Sequence, residues 1–208
     1  MKSIKIALTS MFLILSSYAS AVEISSNVGL SSDYIWRGMT QTEGDIAVNG
    51  GSDLSTDMGF YIGTWASNAK YGTATMELDI YLGFSGEMAE NMTYDVGYIS
   101  VIYPGYDAGD FEEAYVAFNI YGLNILYSDG QDSSPSYSEI GYSVDAGPGS
   151  FNISYGEYED TGDNTLVGYD WGIGNFSLGF YYYDFEADPD NTDVVDDDGA
   201  YVSLSRSF

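Results

Sequence analysis

Apolar and polar residues alternate along most of the chain, and turn residues interrupt the alternation at short intervals. The clearest stretch alternates Met76, Leu78, Ile80, Leu82 and Phe84 with Glu77, Asp79, Tyr81, Gly83 and Ser85. Because successive side chains of a strand point to opposite faces of a sheet, this pattern predicts strands with one apolar and one polar face. The apolar face would contact either lipid or the second sheet of a soluble sandwich, and alternation alone does not decide between them.

The lengths of the connections favour a membrane barrel. We predict about twelve strands, accurate to about two to four residues at each end: 23–37, 46–54, 59–67, 74–86, 92–103, 111–120, 123–128, 136–146, 150–157, 164–171, 175–185 and 199–208. The connections after even-numbered strands are short: Ser55–Met58, Glu87–Asn91, Tyr121–Gly122, Gly147–Gly149 and Gly172–Gly174. Those after odd-numbered strands include the longest and most acidic: Asp129–Pro135, Tyr158–Asp163 and Glu186–Asp198. Membrane barrels alternate short and long connections in this way, so we predict an all-β, single transmembrane antiparallel barrel.

Both ends of the chain agree with export to a bacterial outer membrane. Lys2 and Lys5 precede a short apolar run and the small residues 19–21. These features predict a cleaved signal peptide at residues 1–21, followed by an outer-membrane barrel domain at residues 22–208. The last strand ends in Phe208. Counting back from it, every second residue is apolar, with the exception of Arg206. Such an end is typical of strands that the barrel-assembly machinery recognises, and we expect outer-membrane lipid and lipopolysaccharide as further partners.

Composition excludes several classes of function. The formal net charge is −27, and it becomes −29 when Lys2 and Lys5 leave with the signal peptide, so binding of nucleic acid is not expected. The chain has no Cys and no His, which removes thiol chemistry, His-based triads and His-ligated metals. A pair of carboxylates could still cleave glycosides, but 32 acidic residues make such a pair uninformative. We therefore expect no enzymatic activity and no cofactor.

An aspartate-rich stretch near the C-terminus raises the question of calcium binding. Hard cations prefer several oxygen ligands, and the candidates are Asp188, Asp190, Asp193, Asp196 and Asp198. Their spacing does not fit a helix–loop–helix calcium site, because Asp193 replaces its glycine and Gly199 its glutamate. We favour a solvated acidic loop, with cation bridges to lipopolysaccharide as the alternative.

Several segments resemble one bacterial family. They are Ser32-Asp-Tyr-Ile-Trp-Arg-Gly-Met-Thr-Gln-Thr42, Gly59-Phe-Tyr-Ile-Gly-Thr-Trp-Ala-Ser-Asn68, Glu77-Leu-Asp-Ile-Tyr81, Tyr94-Asp-Val-Gly97, Tyr103-Pro-Gly105 and Ser203-Leu-Ser-Arg-Ser-Phe208. In this order they are similar to the TorF-type porin-like proteins, the Gcw_chp family of unknown function. The resemblance implies an outer-membrane β-barrel with a pore role, and it implies no substrate and no catalytic residue.

The polar faces of the predicted strands supply the candidate site. With apolar parity outward, the inward residues are Asp33, Arg37, Glu77, Asp79, Asp95, Glu113, Glu139, Asp145 and Asp170. One hypothesis is that Arg37 pairs with neighbouring carboxylates and holds the wall together, while tyrosines such as Tyr81 and Tyr115 fill much of the bore. The other is that Arg37 and the facing carboxylates create a field across a narrow cation-preferring pore.

Three functions are compatible with this sequence. The first is an outer-membrane porin with a narrow, acidic channel for passive diffusion of small cationic or neutral solutes. The second is a closed structural or surface-binding barrel, whose acidic outside loops bind ions, lipopolysaccharide or another partner. The third is a soluble periplasmic β-protein, which would have to bury its apolar rows against one another.

Overall fold

The computed structural model describes residues 21–132 and 134–208, so the predicted signal peptide lies, except for Ala21, outside the described residues. Twelve strands form a closed barrel in which neighbouring strands are antiparallel, and two further short strands pair with each other. This confirms the predicted fold class. The strands are β1 (Val22–Ser31), β2 (Ile35–Trp36), β3 (Met39–Thr40), β4 (Ala47–Thr56), β5 (Phe60–Tyr71), β6 (Ala74–Ala89), β7 (Met92–Ile102), β8 (Phe111–Ile120), β9 (Leu123–Gly130), β10 (Tyr137–Ala146), β11 (Gly149–Tyr158), β12 (Gly162–Ile173), β13 (Phe176–Ala187) and β14 (Asp197–Ser207).

Helical structure contributes little to the fold. A single 3-10 turn, Asp107–Gly109, lies in the connection between β7 and β8. In the part of the chain that the structure describes, no helix is long and apolar enough to cross a membrane.

Hydrogen bonds between β1 and β14 close the barrel. Ser31 is opposite Ser203, and at the other end of the pair the Phe208 amide donates to the Ser26 carbonyl at 2.8 Å. On its second edge β1 pairs with β4, from Val22 opposite Thr56 to Ser31 opposite Ala47. Every strand of the barrel therefore has a neighbour on both sides, which leaves no unpaired edge.

The barrel has two unlike ends. At the end that we call the turn end lie the first residue of β1, the last residue of β14 and the connections 57–59, 90–91, 121–122, 147–148 and 174–175. At the loop end lie the connections 32–46, 72–73, 103–110, 131–136, 159–161 and 188–196. All the longer connections therefore lie at the loop end, as predicted, although this end also has two short ones, 72–73 and 159–161.

Two predictions about strands and connections were wrong. The first strand ends at Ser31 rather than near residue 37, so Asp33 and Arg37 are not strand residues. Their segment, 32–46, is the longest connection between barrel strands in the described part of the chain. The connection after β11 was predicted to be among the longest, but it spans only 159–161, because β11 and β12 pair as far as Tyr158 and Gly162.

The outer face of the barrel carries large exposed apolar side chains on most of the barrel strands. They include Ile24, Val28 and Leu30 on β1 and Ile80, Leu82 and Phe84 on β6. Cross-strand pairing keeps these rows in register, as with Leu82 opposite Ile62 on β5. An exposed apolar surface that continues round a whole barrel is far larger than soluble monomers tolerate, and it is what contact with lipid hydrocarbon requires.

On the inner face, tyrosines lie against glycines of neighbouring strands. A Cβ added at Gly63 would come within 2.4 Å of the Tyr81 ring, and one at Gly97 within 2.5 Å of the Tyr115 hydroxyl. Gly168 and Gly179 give the Tyr181 ring the same kind of space. These rings therefore follow the wall, which differs from our expectation that Tyr81 and Tyr115 fill much of the bore.

The end of the last strand combines a cation with aromatic rings. The register places Arg206 opposite Val28, on the outer face, and its guanidinium carbon lies 4.6 Å from the centre of the Phe208 ring and 5.5 Å from that of Phe176. Cation–π contact explains how a charged residue fits into an otherwise apolar row. Recognition of this end by the assembly machinery stays a prediction.

Candidate functional site: an inward hairpin at the loop end

We call residues 32–46 the inward hairpin: residues 33–42 fold back into the barrel, whereas residues 43–46 are exposed at its rim. Thr42 is completely buried, and Asp33 and Gln41 are nearly so. Strands β2 and β3 pair through Ile35 with Thr40 and Trp36 with Met39. Their turn has positive φ at both central residues, Arg37 (48°) and Gly38 (81°). This is the combination that a tight two-residue hairpin turn requires.

Asp33 ties the two arms of the inward hairpin together. Its Oδ1 accepts hydrogen bonds from the hydroxyls of Thr40, at 2.7 Å, and Thr42, at 2.6 Å. The Thr42 hydroxyl oxygen also accepts the Tyr34 amide at 3.0 Å, while the Gln41 amide donates to the Tyr34 carbonyl. The hairpin therefore has internal bonds of its own, and Asp33, which was predicted to be a strand residue, belongs to the hairpin and holds its base; its role as a pore-lining residue stays a prediction.

Arg37, at the tip of the hairpin, binds the far wall of the barrel. Nη1 and Nη2 donate to Oε1 and Oε2 of Glu113 at 2.7 and 2.6 Å, a two-point ion pair. The two side chains are only 7% and 2% exposed. The guanidinium carbon also lies 4.1 Å from the centre of the Tyr137 ring and 5.0 Å from that of Tyr158. One side chain therefore links the hairpin to β8, β10 and β11.

The base of the hairpin binds the near wall through Tyr34. Its hydroxyl donates to Glu77 Oε1 at 2.6 Å, and the Tyr103 hydroxyl donates to Oε2 of the same carboxylate at 2.6 Å. The Tyr34 and Trp65 rings are in contact, with centres 5.2 Å apart. Burial, together with the charge of Glu77, raises the pKa of both tyrosines well above the usual range. Both hydroxyls therefore stay protonated and continue to donate.

Next to Glu77, Asp79 has a different environment. It faces the lumen from the same strand and is buried, but Oδ1 has no hydrogen-bond partner among the described residues. Its cross-strand neighbours are Trp65 and Val101, neither of which supplies a countercharge.

The other predicted lumen residues lie deeper in the barrel or beside the Arg37 pocket. Asp95 accepts a hydrogen bond from the Tyr61 hydroxyl at 2.6 Å, and Glu139 accepts one from the Tyr137 hydroxyl at 2.9 Å. Asp170 accepts the Tyr181 hydroxyl and, at 2.8 Å, the Asn152 amide. The register places Asp145 inward near the turn end, opposite Ser150. Among the described residues, none of these four carboxylates has a hydrogen bond or ion pair with the hairpin, and their role as pore-lining residues stays a prediction.

The inward hairpin separates two cavities. On the turn side of it, a cavity of about 370 Å³ is lined by Asp33, Tyr34 and Ile35 together with Tyr181 and Tyr201 of the wall. On the loop side, a cavity of about 390 Å³ is lined by Trp36, Met39 and Gln41 together with Tyr103 and Tyr158. The two linings share no residue. The hairpin therefore lies between two cavities of the lumen, which we call the inner chamber, on the turn side, and the outer vestibule, on the loop side.

Close packing at Gly38 gives a direct test of this arrangement. A Cβ at Gly38 would lie 2.6 Å from the Asn164 Cβ and 3.1 Å from the Phe185 Cβ, whereas one at Gly44 would meet nothing. Both residues have positive φ, 81° and 76°. We expect Gly44→Ala to cost about 1 kcal/mol of stability through backbone strain alone. Gly38→Ala should cost about 1–3 kcal/mol more because of overpacking, as measured by thermal unfolding in detergent. Equal losses would show that the hairpin tip does not pack against β12 and β13.

The aspartate-rich loop forms local turns. Asp188 accepts the Asp190 amide at 2.8 Å, and Asp196 accepts the Ala187 amide at 3.0 Å. Within residues 21–132 and 134–208, no three acidic side chains come close enough together to hold a metal ion. Calcium binding by Asp188, Asp190, Asp193, Asp196 and Asp198 stays an untested prediction.

The aromatic side of the Arg37 pocket could not be found in the sequence. The alternation of apolar and polar residues places Glu113 and Tyr137 on the inner face. It does not show that these two side chains meet Tyr158 at one point, because that depends on the register of the four strands β8 to β11. The Arg37-Gly38 dipeptide is a weak turn signal, and without it residues 32–37 look like the continuation of β1.

These features define a closed twelve-stranded barrel whose first long connection folds into its own lumen. The chain belongs to the family described as bacterial protein of unknown function (Gcw_chp), whose model matches residues 16–128. This match includes the whole inward hairpin and Glu113 but ends before Tyr137. The TorF-type label for the family stays a prediction.

One solved structure with a similar fold is the crystal structure of OccAB2 from Acinetobacter baumannii. The two chains are 7% identical with a TM-score of 0.45, and the alignment covers 92% of this chain and 65% of that one. The chain thus spans less than two thirds of that protein's length. No curated protein matches the chain.

Proposed function

We propose that the protein is a porin-like channel of the bacterial outer membrane, narrow and acidic, through which small cationic or neutral solutes diffuse, and that the inward hairpin sets its conductance. The observation that carries the proposal is a continuous apolar outer surface around a lumen lined by carboxylates. Such a barrel is stable in lipid and attracts cations to its interior. Lipid and lipopolysaccharide would contact its outer face.

The distribution of positive charge supports cation preference. After the predicted signal peptide the chain contains only Arg37, Lys70 and Arg206 as fixed cations. Arg37 is paired with Glu113, Lys70 bonds Glu43 and Asp45 at the exposed rim, and Arg206 lies on the outer face. Asp53 of β4 also faces inward, where it accepts a hydrogen bond from the Tyr81 hydroxyl at 2.6 Å. Among the described residues, the inward carboxylates Asp53, Asp95 and Asp170 therefore lack a basic partner, and mobile cations would balance their charge.

Current through a planar bilayer tests the proposal. We expect discrete steps and a reversal potential that shows preference for potassium under a potassium chloride gradient. The triple variant Asp53→Asn, Asp95→Asn, Asp170→Asn should move the reversal potential towards zero. Asparagine keeps the oxygen that accepts the tyrosine hydroxyl in each case, and of these contacts only the bond from the Asn152 amide to residue 170 is lost, so the barrel should remain folded. The matched control replaces Asp188, Asp190 and Asp193 by asparagine, which removes the same charge from an exposed loop.

A closed, surface-binding barrel is the second candidate, because the inward hairpin separates the vestibule from the chamber. The same experiment distinguishes the two. Absence of current from a folded, heat-modifiable barrel would contradict the channel and favour a role for the acidic loops. Recovery of the protein in a soluble periplasmic fraction would contradict both.

A further inference from the structure

The Arg37 guanidinium occupies a pocket that the barrel wall provides. Glu113 of β8 binds both terminal nitrogens, Tyr137 of β10 faces the guanidinium carbon at 4.1 Å, and Tyr158 at the end of β11 approaches to 5.0 Å. From the hairpin side, only Arg37 itself and the neighbouring Trp36 ring, at 4.8 Å, take part in this cluster. The wall thus contributes the carboxylate and two of the three aromatic faces.

The chemistry of this pocket matches a guanidinium better than other cations. A carboxylate that presents both oxygens in one plane fits the two parallel N–H groups of a guanidinium, whereas an ammonium offers no such fork. Aromatic faces stack on a flat, delocalised cation and replace part of its weak hydration. Glu113 is almost completely buried, so a charged carboxylate at this position needs a partner.

The pocket lies beside the outer vestibule. Tyr158 and Trp36 line the cavity of about 390 Å³ on the loop side of the inward hairpin, together with Phe111, two residues before Glu113. A solute that enters from the loop end therefore reaches the edge of the pocket without passing the hairpin. Arg37 is held there by a turn of the chain, so it can leave without unfolding of the barrel strands.

We propose that Glu113, Tyr137 and Tyr158 form a guanidinium-binding site that Arg37 occupies as a tethered ligand, and that free guanidinium-bearing solutes compete with Arg37 for it. Displacement of Arg37 releases the tip of the hairpin from β8, β10 and β11. Binding at this site is independent of whether the barrel conducts, whereas any increase in current on binding rests on the proposed channel function.

The first test is chemical rescue of a variant in which the site is vacant. Arg37→Ala is titrated with millimolar ethylguanidinium or ethylammonium, and thermal unfolding is followed in detergent. We expect ethylguanidinium to raise the midpoint and to bind about tenfold more tightly than ethylammonium, because only the former can make the two-point contact. Equal stabilisation by the two cations, or none by either, would overturn the proposal.

Two further variants make the test specific. Lys70→Ala removes the same charge from an exposed ion pair, so ethylguanidinium should not stabilise it beyond the wild type. Adding Glu113→Gln to Arg37→Ala should abolish the rescue. If Arg37→Ala does not fold, Arg37→Lys supports the same comparison, because lysine keeps the charge but leaves one carboxylate oxygen without its partner.

A measurement on the wild-type protein separates this proposal from the channel. Agmatine, a small guanidinium solute, is added to the loop side of a bilayer containing the barrel, with putrescine as the control of equal charge. Increased current with agmatine alone supports both proposals. If ethylguanidinium stabilises Arg37→Ala but the wild type carries no current, the result supports the guanidinium-binding site and contradicts the channel.

Discussion

Replacing Arg37 by alanine is expected to lower the stability of the barrel and to raise its conductance. The substitution leaves the buried Glu113 carboxylate without its partner and removes the contacts of the hairpin tip with Tyr137 and Tyr158. Breaking a buried ion pair by removing one partner costs about 3–5 kcal/mol. Thermal unfolding in detergent and single-channel current, recorded on the same preparation, measure the two effects.

Lys70→Ala is the matched control, because it also removes one positive charge. Lys70 bonds Glu43 and Asp45 at an exposed position, so its loss should hardly change the midpoint of thermal unfolding.

The double variant Arg37→Met, Glu113→Gln should recover much of the stability, since no charge is then left buried. It should still conduct more than the wild type, because the tip is no longer held. An Arg37→Ala barrel with wild-type stability and current would contradict the described position of the side chain.

The two hypotheses drawn from the sequence are therefore not alternatives in this structure. One assigned Arg37 to the stability of the wall and the other to the field in the pore, and both assumed that it belongs to a strand. Because Arg37 lies at the tip of the inward hairpin, its ion pair joins the hairpin to the wall and also holds the tip between the two cavities.

The sequence predicts the strands well because their pattern is local. Alternation with period two fixes which residues of β6 face inward, and it does so whatever the neighbouring strands are. Short connections with glycine or asparagine identify the turn end for the same reason, as at Asn91 and at Gly122, where φ is positive. The number of strands and the polar lining could therefore be predicted.

The inward hairpin and the tyrosine–glycine contacts could not be predicted, because they depend on residues far apart in the chain. Ser32 to Trp36 can continue β1, and partners on distant strands, such as Glu77 and Glu113, stabilise the folded-back arrangement instead. In the same way, Tyr81 lies flat only because the register sets Gly63 beside it. Nothing within a short window of sequence contains that information.

Shortening the inward hairpin should produce the largest change in conductance. Replacing residues 35–40 by Gly-Ser-Gly removes Trp36, Arg37 and Met39, the residues that reach the far wall and line the vestibule. Asp33, Tyr34, Gln41 and Thr42 remain, so the base of the hairpin keeps the hydrogen bonds among these four residues, including the Thr42–Asp33 bond at 2.6 Å. The vestibule and the inner chamber should then join, and we expect single-channel conductance to rise several-fold, with the preference for potassium retained because the deeper carboxylates are unchanged.

A second shortened protein shows whether this effect belongs to the hairpin or to any change at the loop end. Replacing residues 189–195 by the same linker removes Asn191 and Val194 from the rim of the vestibule, but none of the residues that hold the hairpin. This control should conduct like the wild type. If both shortened barrels carry the same current, the hairpin does not restrict the path. If the first alone conducts and the wild type is silent, the inward hairpin is what closes the barrel, and displacement of Arg37 becomes the step that would open it.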